Sequence, residues 1–254
     1  MYNSNDIRDV HLEITQRCQA ACPMCARNQE GGADNPHLSN AELSYDDCTK
    51  IFSPEFIQKL DKMYMCGNYG DPIVAKDTLE VFAYFRTCNP DIWLSMNTNG
   101  GAKDERWWAE LAEVLGNNGS VTFSVDGLKE TNHVYRQNVR WEIVERSMRA
   151  FINAGGRARW DYLVFKHNEH QVEEAEAFAN ELGFESFHAK RSSRMFGAGR
   201  LGTNRKGDTI KYEHPVTEKW RNPNLRPGYE LEQTVLISKL NKKPMRAPPT
   251  HDKN

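Results

Sequence analysis

From residue 10 to about residue 190 the chain repeats one rhythm, a short alternating segment followed by an amphipathic one, and nothing else restricts its fold as strongly. Val10, Leu12 and Ile14 alternate with His11, Glu13 and Thr15. Ile92, Leu94 and Met96 alternate with Trp93, Ser95 and Asn97, and Val121, Phe123 and Val125 with Thr122, Ser124 and Asp126. A period of two puts each set on one face of a β-strand. Residues 62–67, 157–165 and, more weakly, 186–191 supply three further strands.

Helices fit between them. Ser44 with Asp47, and Ser53 with Pro54, carry helix-start signals, and Asp77 with Glu80 has capping-box spacing. Asp104 precedes the stripe of Trp107, Trp108, Leu111, Val114 and Leu115, which Gly116 ends. Two more stripes stop at Gly155 and Gly183. Strands that alternate with helices pair in parallel through crossovers. In a flat sheet with helices on both faces such strands are apolar throughout. Here the first, third and fourth strands each keep a polar face. The expected fold is therefore α/β, a partial (β/α)6 TIM-type barrel, with chemistry at the C-terminal strand ends. Residues 1–192 are expected to form this core. Residues 193–254, rich in Gly, Arg, Lys, Asn and Pro, are expected to form a short, loosely packed C-terminal extension, with one strand at 232–237 and disordered final residues.

A net charge of −2 over 254 residues gives no basic field, so a nucleic-acid partner is not expected. The first ten residues are polar, and no run of about 18 apolar residues suggests a membrane span. The expected compartment is the cytoplasm. In a reducing compartment the six cysteines are not a disulfide framework. Cys48, Cys66 and Cys88 are scattered and expected to pack, with Cys66 near a strand end.

Cys18, Cys22 and Cys25 are the exception. Their C-x3-C-x2-C spacing directly follows the first strand. Three thiolates in one loop can hold one face of a cubane iron–sulfur cluster and leave one iron without a protein ligand. A tetrahedral zinc site would need a fourth ligand, for which His37 is the nearest downstream candidate.

The phrase Leu12-Glu13-Ile14-Thr15-Gln16-Arg17-Cys18, followed by Cys22-Pro23-Met24-Cys25, resembles the radical S-adenosylmethionine (SAM) superfamily, and within it the branch with SPASM or twitch extensions. The resemblance spans roughly residues 8–190. It implies a [4Fe–4S] cluster on the three cysteines, reductive cleavage of S-adenosylmethionine, and hydrogen abstraction from a peptide or small molecule, with a low-potential electron donor as partner. Asn68-Tyr69-Gly70-Asp71-Pro72 is similar to the family's Gly-Gly-Glu-Pro segment, which contacts the methionine amino group; Tyr69 and Asp71 depart from it. By the same resemblance, Asn97 and Asn99 lie near the ribose and substrate. Ser124, in a Ser-Val-Asp-Gly segment similar to the family's Ser-Leu-Asp-Gly, and Arg136 hold the methionine carboxylate, and Asp126 of that segment belongs to the same cofactor-binding set. Asn168 and Met24 fall near the adenosine.

Each segment also has a plainer reading. Gly-Asp-Pro and Asn-Gly are ordinary turn sequences, Arg136 can form a surface pair with Glu130, and Met24 can simply pack. Lys190, Arg191, Arg194 and Arg200 can meet an anionic substrate or merely face water. No cysteine follows Cys88, although SPASM and twitch extensions carry cysteines for further clusters, so residues 193–254 are expected to be a reduced or a truncated twitch-like segment. A zinc-binding interaction module and a barrel that binds SAM without cleaving it remain the alternatives to a radical enzyme.

Overall fold

The computed structural model describes residues 6–221, apart from residues 30, 193, 196–199 and 205. Six parallel strands form one sheet in chain order: β1 (Asp9–Leu12), β2 (Lys62–Met65), β3 (Trp93–Thr98), β4 (Gly119–Ser124), β5 (Ala158–Val164) and β6 (Ser186–Arg191). The sheet does not close, because β1 and β6 are its two edges. This is the expected incomplete barrel. The helices are α1 (Tyr45–Ile51), α2 (Pro54–Ile57), α3 (Thr78–Cys88), α4 (Glu105–Leu115), α5 (Asn132–Tyr135), α6 (Trp141–Asn153) and α7 (Val172–Leu182). Along the sheet, α3 packs on α4, α4 on α6 and α6 on α7.

The two-residue period decides which side chains meet those helices. Ala158, Trp160, Tyr162 and Val164 of β5 are buried, while Arg159, Asp161 and Leu163 between them are partly exposed. Trp108 of α4 packs on Phe123 of β4 at 5.3 Å and on Phe151 of α6 at 6.1 Å between ring centroids. Burying each such side chain contributes about 1.5–3 kcal/mol, so the strand–helix contact is the main stabilising layer.

The helix starts follow the sequence, with one exception. Ser44 and Asp47 form a full capping box, Ser53 accepts from the Phe56 amide, and Asp104 from the Trp107 amide. Asp77 does not cap α3 with its side chain. Its carboxylate instead accepts from the Tyr45 amide at 2.9 Å, an unpaired donor in the first turn of α1. One carboxylate thereby ties two helix starts together.

The extension departs from expectation. Strands β7 (Arg200–Thr203) and β8 (Thr209–Tyr212) form an antiparallel hairpin packed on the core. Tyr212 is fully buried. Glu213 pairs with Lys166 at 3.1 Å, and Glu169 accepts from the Val216 and Thr217 amides. Among the described residues of this segment, the buried Tyr212, the partly buried Ile210 and Trp220 packed against the core, and a few directed polar contacts hold it in place. The expected strand at 232–237 lies outside the described residues.

His167 lies in this contact, stacked on Phe165 at 5.3 Å, and its buried Nε2 has no partner among the described residues. Burial, then the charges of His133 and His170, push its pKa down to about 4. The unfolded chain takes up this proton near pH 6.5, so stability is expected to hold above that pH and fall between 6.5 and 4, by at most about 1.4 kcal/mol per unit. Urea unfolding of the metal-free chain at pH 7 and pH 5 measures this. The His167→Phe variant is expected to lose much of the wild-type difference; an equal difference in both would show that other groups produce it.

Candidate active site

The C-terminal strand ends and the loop after β1 enclose a cavity of about 390 Å³. Cys18, Cys22 and Cys25 all line it. Turns within the loop set their directions: the Cys25 amide donates to the Cys22 carbonyl and the Asn28 amide to the Cys25 carbonyl, both at 3.0 Å. Each sulfur then meets a different part of the barrel. Cys18 Sγ lies 3.6 Å from Asn99 Nδ2, Cys25 Sγ 3.9 Å from the Asn68 carbonyl, and Cys22 Sγ 4.0 Å from Arg136 Nη1.

Burial pushes the Cys18 and Cys22 thiols up, Cys22 to about 11, and neighbouring cysteines add to both shifts. An iron–sulfur core would supply the positive charge that stabilises three adjacent thiolates, of which Cys22 is buried and Cys18 and Cys25 are partly buried. The donor set therefore fits a cluster. Cys66 lines the same cavity from the end of β2, but the charges acting on it are those of Asp71, Glu13 and Arg194. Among the described residues, no three His, Cys, Asp or Glu side chains close on a single-ion site.

The segment after β2 reaches the cavity through a close backbone approach. A Cβ at Gly70 would stand 1.9 Å from the Thr15 carbonyl oxygen and 3.0 Å from that of Arg17. These are backbone atoms at the entrance of the cysteine loop, so Gly70→Ala must displace that loop. Reconstituted iron is expected to drop well below wild type, with a loss of about 1–3 kcal/mol in stability, the usual cost of overpacking. Iron analysis and thermal unfolding check this, and a variant equal to wild type in both would contradict it.

Asp71 also lines the cavity, yet both its oxygens are already engaged. Oδ1 accepts from Thr98 Oγ1 at 2.8 Å and the Ile73 amide at 3.2 Å. Oδ2 accepts from the Asn99 amide at 2.8 Å and Asn99 Nδ2 at 2.6 Å. Asn99 Oδ1 accepts in turn from Gln19 Nε2 at 2.6 Å. A carboxylate one methylene shorter than the family's glutamate thus braces the ends of β2 and β3 against the cysteine loop.

Arg136 follows α5 and lines the cavity, with Nε donating to Asp126 Oδ2 at 2.6 Å. Asp126 is fully buried, and its other oxygen accepts from the Leu163 amide at 2.6 Å. Burial raises the pKa of the Asp126 carboxyl and the Arg136 charge opposes that rise, while Asp126 holds Arg136 protonated against its own burial. The plainer sequence reading of Arg136, a surface pair with Glu130, does not occur. Glu130 accepts from Gln171 instead.

Other candidates divide. Ser124, Asn97, Asn99 and Gly70 line the cavity with Arg136. Asp126 stands behind Arg136, and Pro72 is buried at the start of a short 3₁₀ turn. Met24 is buried beside a neighbouring cavity. Asn168 is fully buried: Nδ2 donates to the Asp126 and Leu163 carbonyls, and Oδ1 accepts from the Phe165 amide. It braces the turn behind the site rather than lining it. Lys190, Arg191 and Arg194 do reach the cavity, whereas Arg200 lies beside Met24. Lys190 pairs with Asp161, and Arg194 Nη1 donates to the Met24 carbonyl at 3.0 Å. Sequence reasoning missed Tyr135, which is 3% exposed and forms cavity wall beside Arg136; its only signal was an aromatic residue preceding that arginine.

The fold and site together define an open α/β barrel with a three-cysteine pocket at its C-terminal strand ends. The sequence model of the Radical SAM superfamily matches residues 12–179, and the chain belongs to that superfamily. Solved structures with the same fold include Streptococcus suis SuiB bound to its precursor peptide SuiA (TM-score 0.56, 16% identity), covering 72% of this chain and 38% of SuiB. Another is anSMEcpe with bound AdoMet (TM-score 0.56, 19% identity), covering 72% of this chain and 50% of that one. A histidine-tagged form of anSMEcpe with bound AdoMet gives a TM-score of 0.57 at 17% identity and covers 79% of this chain and 53% of that one. The chain thus spans about half or less of these proteins' lengths.

Proposed function

We propose that this chain is a radical SAM enzyme that holds a [4Fe–4S] cluster on Cys18, Cys22 and Cys25, cleaves S-adenosylmethionine reductively and acts on a peptide. The observation that carries this reading is one cavity lined both by the three loop thiols and by an arginine anchored on a buried carboxylate. Bound there, the cluster would pass an electron to the sulfonium of S-adenosylmethionine, giving methionine and a 5′-deoxyadenosyl radical that takes hydrogen from the substrate.

The chain's own residues bind and orient. Arg136, held at Nε by Asp126, presents the rest of its guanidinium to the methionine carboxylate, and Ser124 adds a hydroxyl donor. Asp71 has no free oxygen, so the ammonium group is left to backbone carbonyls of the 67–70 turn. Tyr135 and Leu163 wall the cavity against water. Lys190, Arg191 and Arg194 line the side of the cavity formed by the end of β6.

SuiB with SuiA, and anSMEcpe with a Cp18Cys peptide, favour a peptide substrate. The segment after β6 is read as a twitch-like extension, supported by its place after the barrel and by the motif around Cys18. A low-potential donor would supply the electron, and free cysteines suit a reducing cytoplasm. No helix among the described residues is long and apolar enough to cross a membrane.

The test is anaerobic reconstitution with iron and sulfide, then reduction in the presence of S-adenosylmethionine. The expected products are methionine and 5′-deoxyadenosine from a brown protein. A colourless protein with about one zinc on the loop thiols would make it the interaction module. Binding of S-adenosylmethionine without cleavage by an intact cluster would make it a barrel that has lost its chemistry.

A further inference from the structure

The β7–β8 hairpin adds no strand to the six-stranded sheet, yet its last residue reaches behind the cavity. Tyr212 packs edge-on against Tyr135 at 6.0 Å and against Phe165 at 6.3 Å. Its hydroxyl donates to the Val134 carbonyl at 3.0 Å and accepts from Gln137 Nε2 at 2.9 Å. These two contacts bracket Arg136 in the chain. The Gln137 carbonyl accepts in turn from the Ala21 amide at 3.0 Å, inside the cysteine loop. One phenol from the extension is therefore linked to the turn that carries Arg136, and through a single glutamine to the loop that carries Cys18 and Cys22.

The turn's local backbone bonds are short-range: the Arg136 amide donates to the Asn132 carbonyl at 2.8 Å and its carbonyl accepts from the Val139 amide at 3.1 Å, which ties the turn to itself and not to the cysteine loop. Helix α5 is four residues long, and Arg136 itself leaves the helical region at φ −81°, ψ 61°. A single helical turn is not stable on its own. Asp126 grips Arg136 at Nε alone and does not fix where the other end of the guanidinium points. The position of the backbone does, and the Tyr212 hydroxyl holds the backbone on one side of Arg136 and the Gln137 side chain on the other.

We propose that Tyr212 is a positioning residue for S-adenosylmethionine, its hydroxyl setting the Arg136 turn in register with the cysteine loop. This rests on Arg136 as the carboxylate anchor proposed above. It gives the extension a role in cofactor binding that needs no cysteine of its own. A displacement of about 1 Å in such an anchor is enough to lose orders of magnitude in productive geometry. A tyrosine that merely filled the core would affect stability and nothing else.

Two variants approach the link from opposite sides. Tyr212→Phe keeps the ring and removes the hydroxyl; Gln137→Met removes the donor and leaves Tyr212 intact. Both are expected to load iron and sulfide as wild type does. Each is expected to weaken S-adenosylmethionine binding about tenfold, equivalent to about 1.4 kcal/mol, read from the change in the cluster's EPR signal. The double variant should be little worse than either single one, because both cut the same link. Glu213→Gln, which removes the exposed pair with Lys166 on the same hairpin, should leave affinity unchanged. In the metal-free chain, Tyr212→Phe should speed hydrogen exchange at the Ala21 and Arg136 amides. Wild-type affinity in Tyr212→Phe, or fully additive losses in the double variant, would overturn the proposal. Should one single variant fail to fold, the other still decides it. If wild type itself does not bind S-adenosylmethionine, the reading of Arg136 fails, and the exchange experiment alone then decides whether Tyr212 holds the turn.

Discussion

Asp126→Ala is expected to cost about 3–5 kcal/mol of stability and to abolish S-adenosylmethionine binding, because it leaves the Arg136 guanidinium unpaired in a buried setting. Asp126 is fully buried and joins three parts of the chain. Its carboxylate accepts from Arg136 and from the Leu163 amide of β5, its amide donates to Asn132 Oδ1, and its carbonyl accepts from Asn168. Asp126→Asn keeps one carbonyl oxygen for these donors but removes the charge that offsets Arg136. It should therefore fold, with a smaller loss of stability, and still bind the cofactor poorly. Denaturant unfolding of the metal-free chain gives the first quantity and a cofactor titration the second. An Asp126→Ala protein that is as stable as wild type and binds the cofactor normally would remove Arg136 from the account.

The second large effect belongs to Asp71. Asp71→Ala strands four donors, from Thr98, Ile73 and both nitrogens of Asn99, and each buried donor left unpaired costs about 1–3 kcal/mol. Some will relax or find water, so the expected net loss is about 3 kcal/mol. Asn99 also lies against Cys18, so iron uptake should fall with it. Asp71→Asn should be nearly as harmful, since its amide NH2 would face other donors at one end of the group. Thermal unfolding and iron per chain after reconstitution are the measurements. If Asp71→Ala loses cofactor affinity while keeping stability and iron, Asp71 is a ligand contact and not a brace.

Much of this was legible in the sequence because it is local. Alternation identified the strands, Ser44, Ser53 and Asp104 marked helix starts, and three closely spaced cysteines marked the loop. What was not legible depends on partners distant in the chain. Asp77 has capping-box spacing, yet it serves the Tyr45 amide 32 positions away. Asp71 matches a family contact residue, yet Thr98 and Asn99 occupy its oxygens. Asn168 sits near a place expected to face adenosine, but its amide completes the backbone of the β5 turn and the Asp126 carbonyl. The hairpin was unreadable for another reason. Its apolar content is low, and one buried tyrosine supplies the anchorage that a stripe usually signals.

The most direct test of the cluster site is EPR of the reconstituted, dithionite-reduced protein before and after S-adenosylmethionine is added. A [4Fe–4S]⁺ signal that changes shape on addition, and is lost when any one of Cys18, Cys22 and Cys25 is replaced by alanine, is the expected result. A signal indifferent to S-adenosylmethionine, or one that survives removal of all three thiols, would place the iron elsewhere and contradict the account.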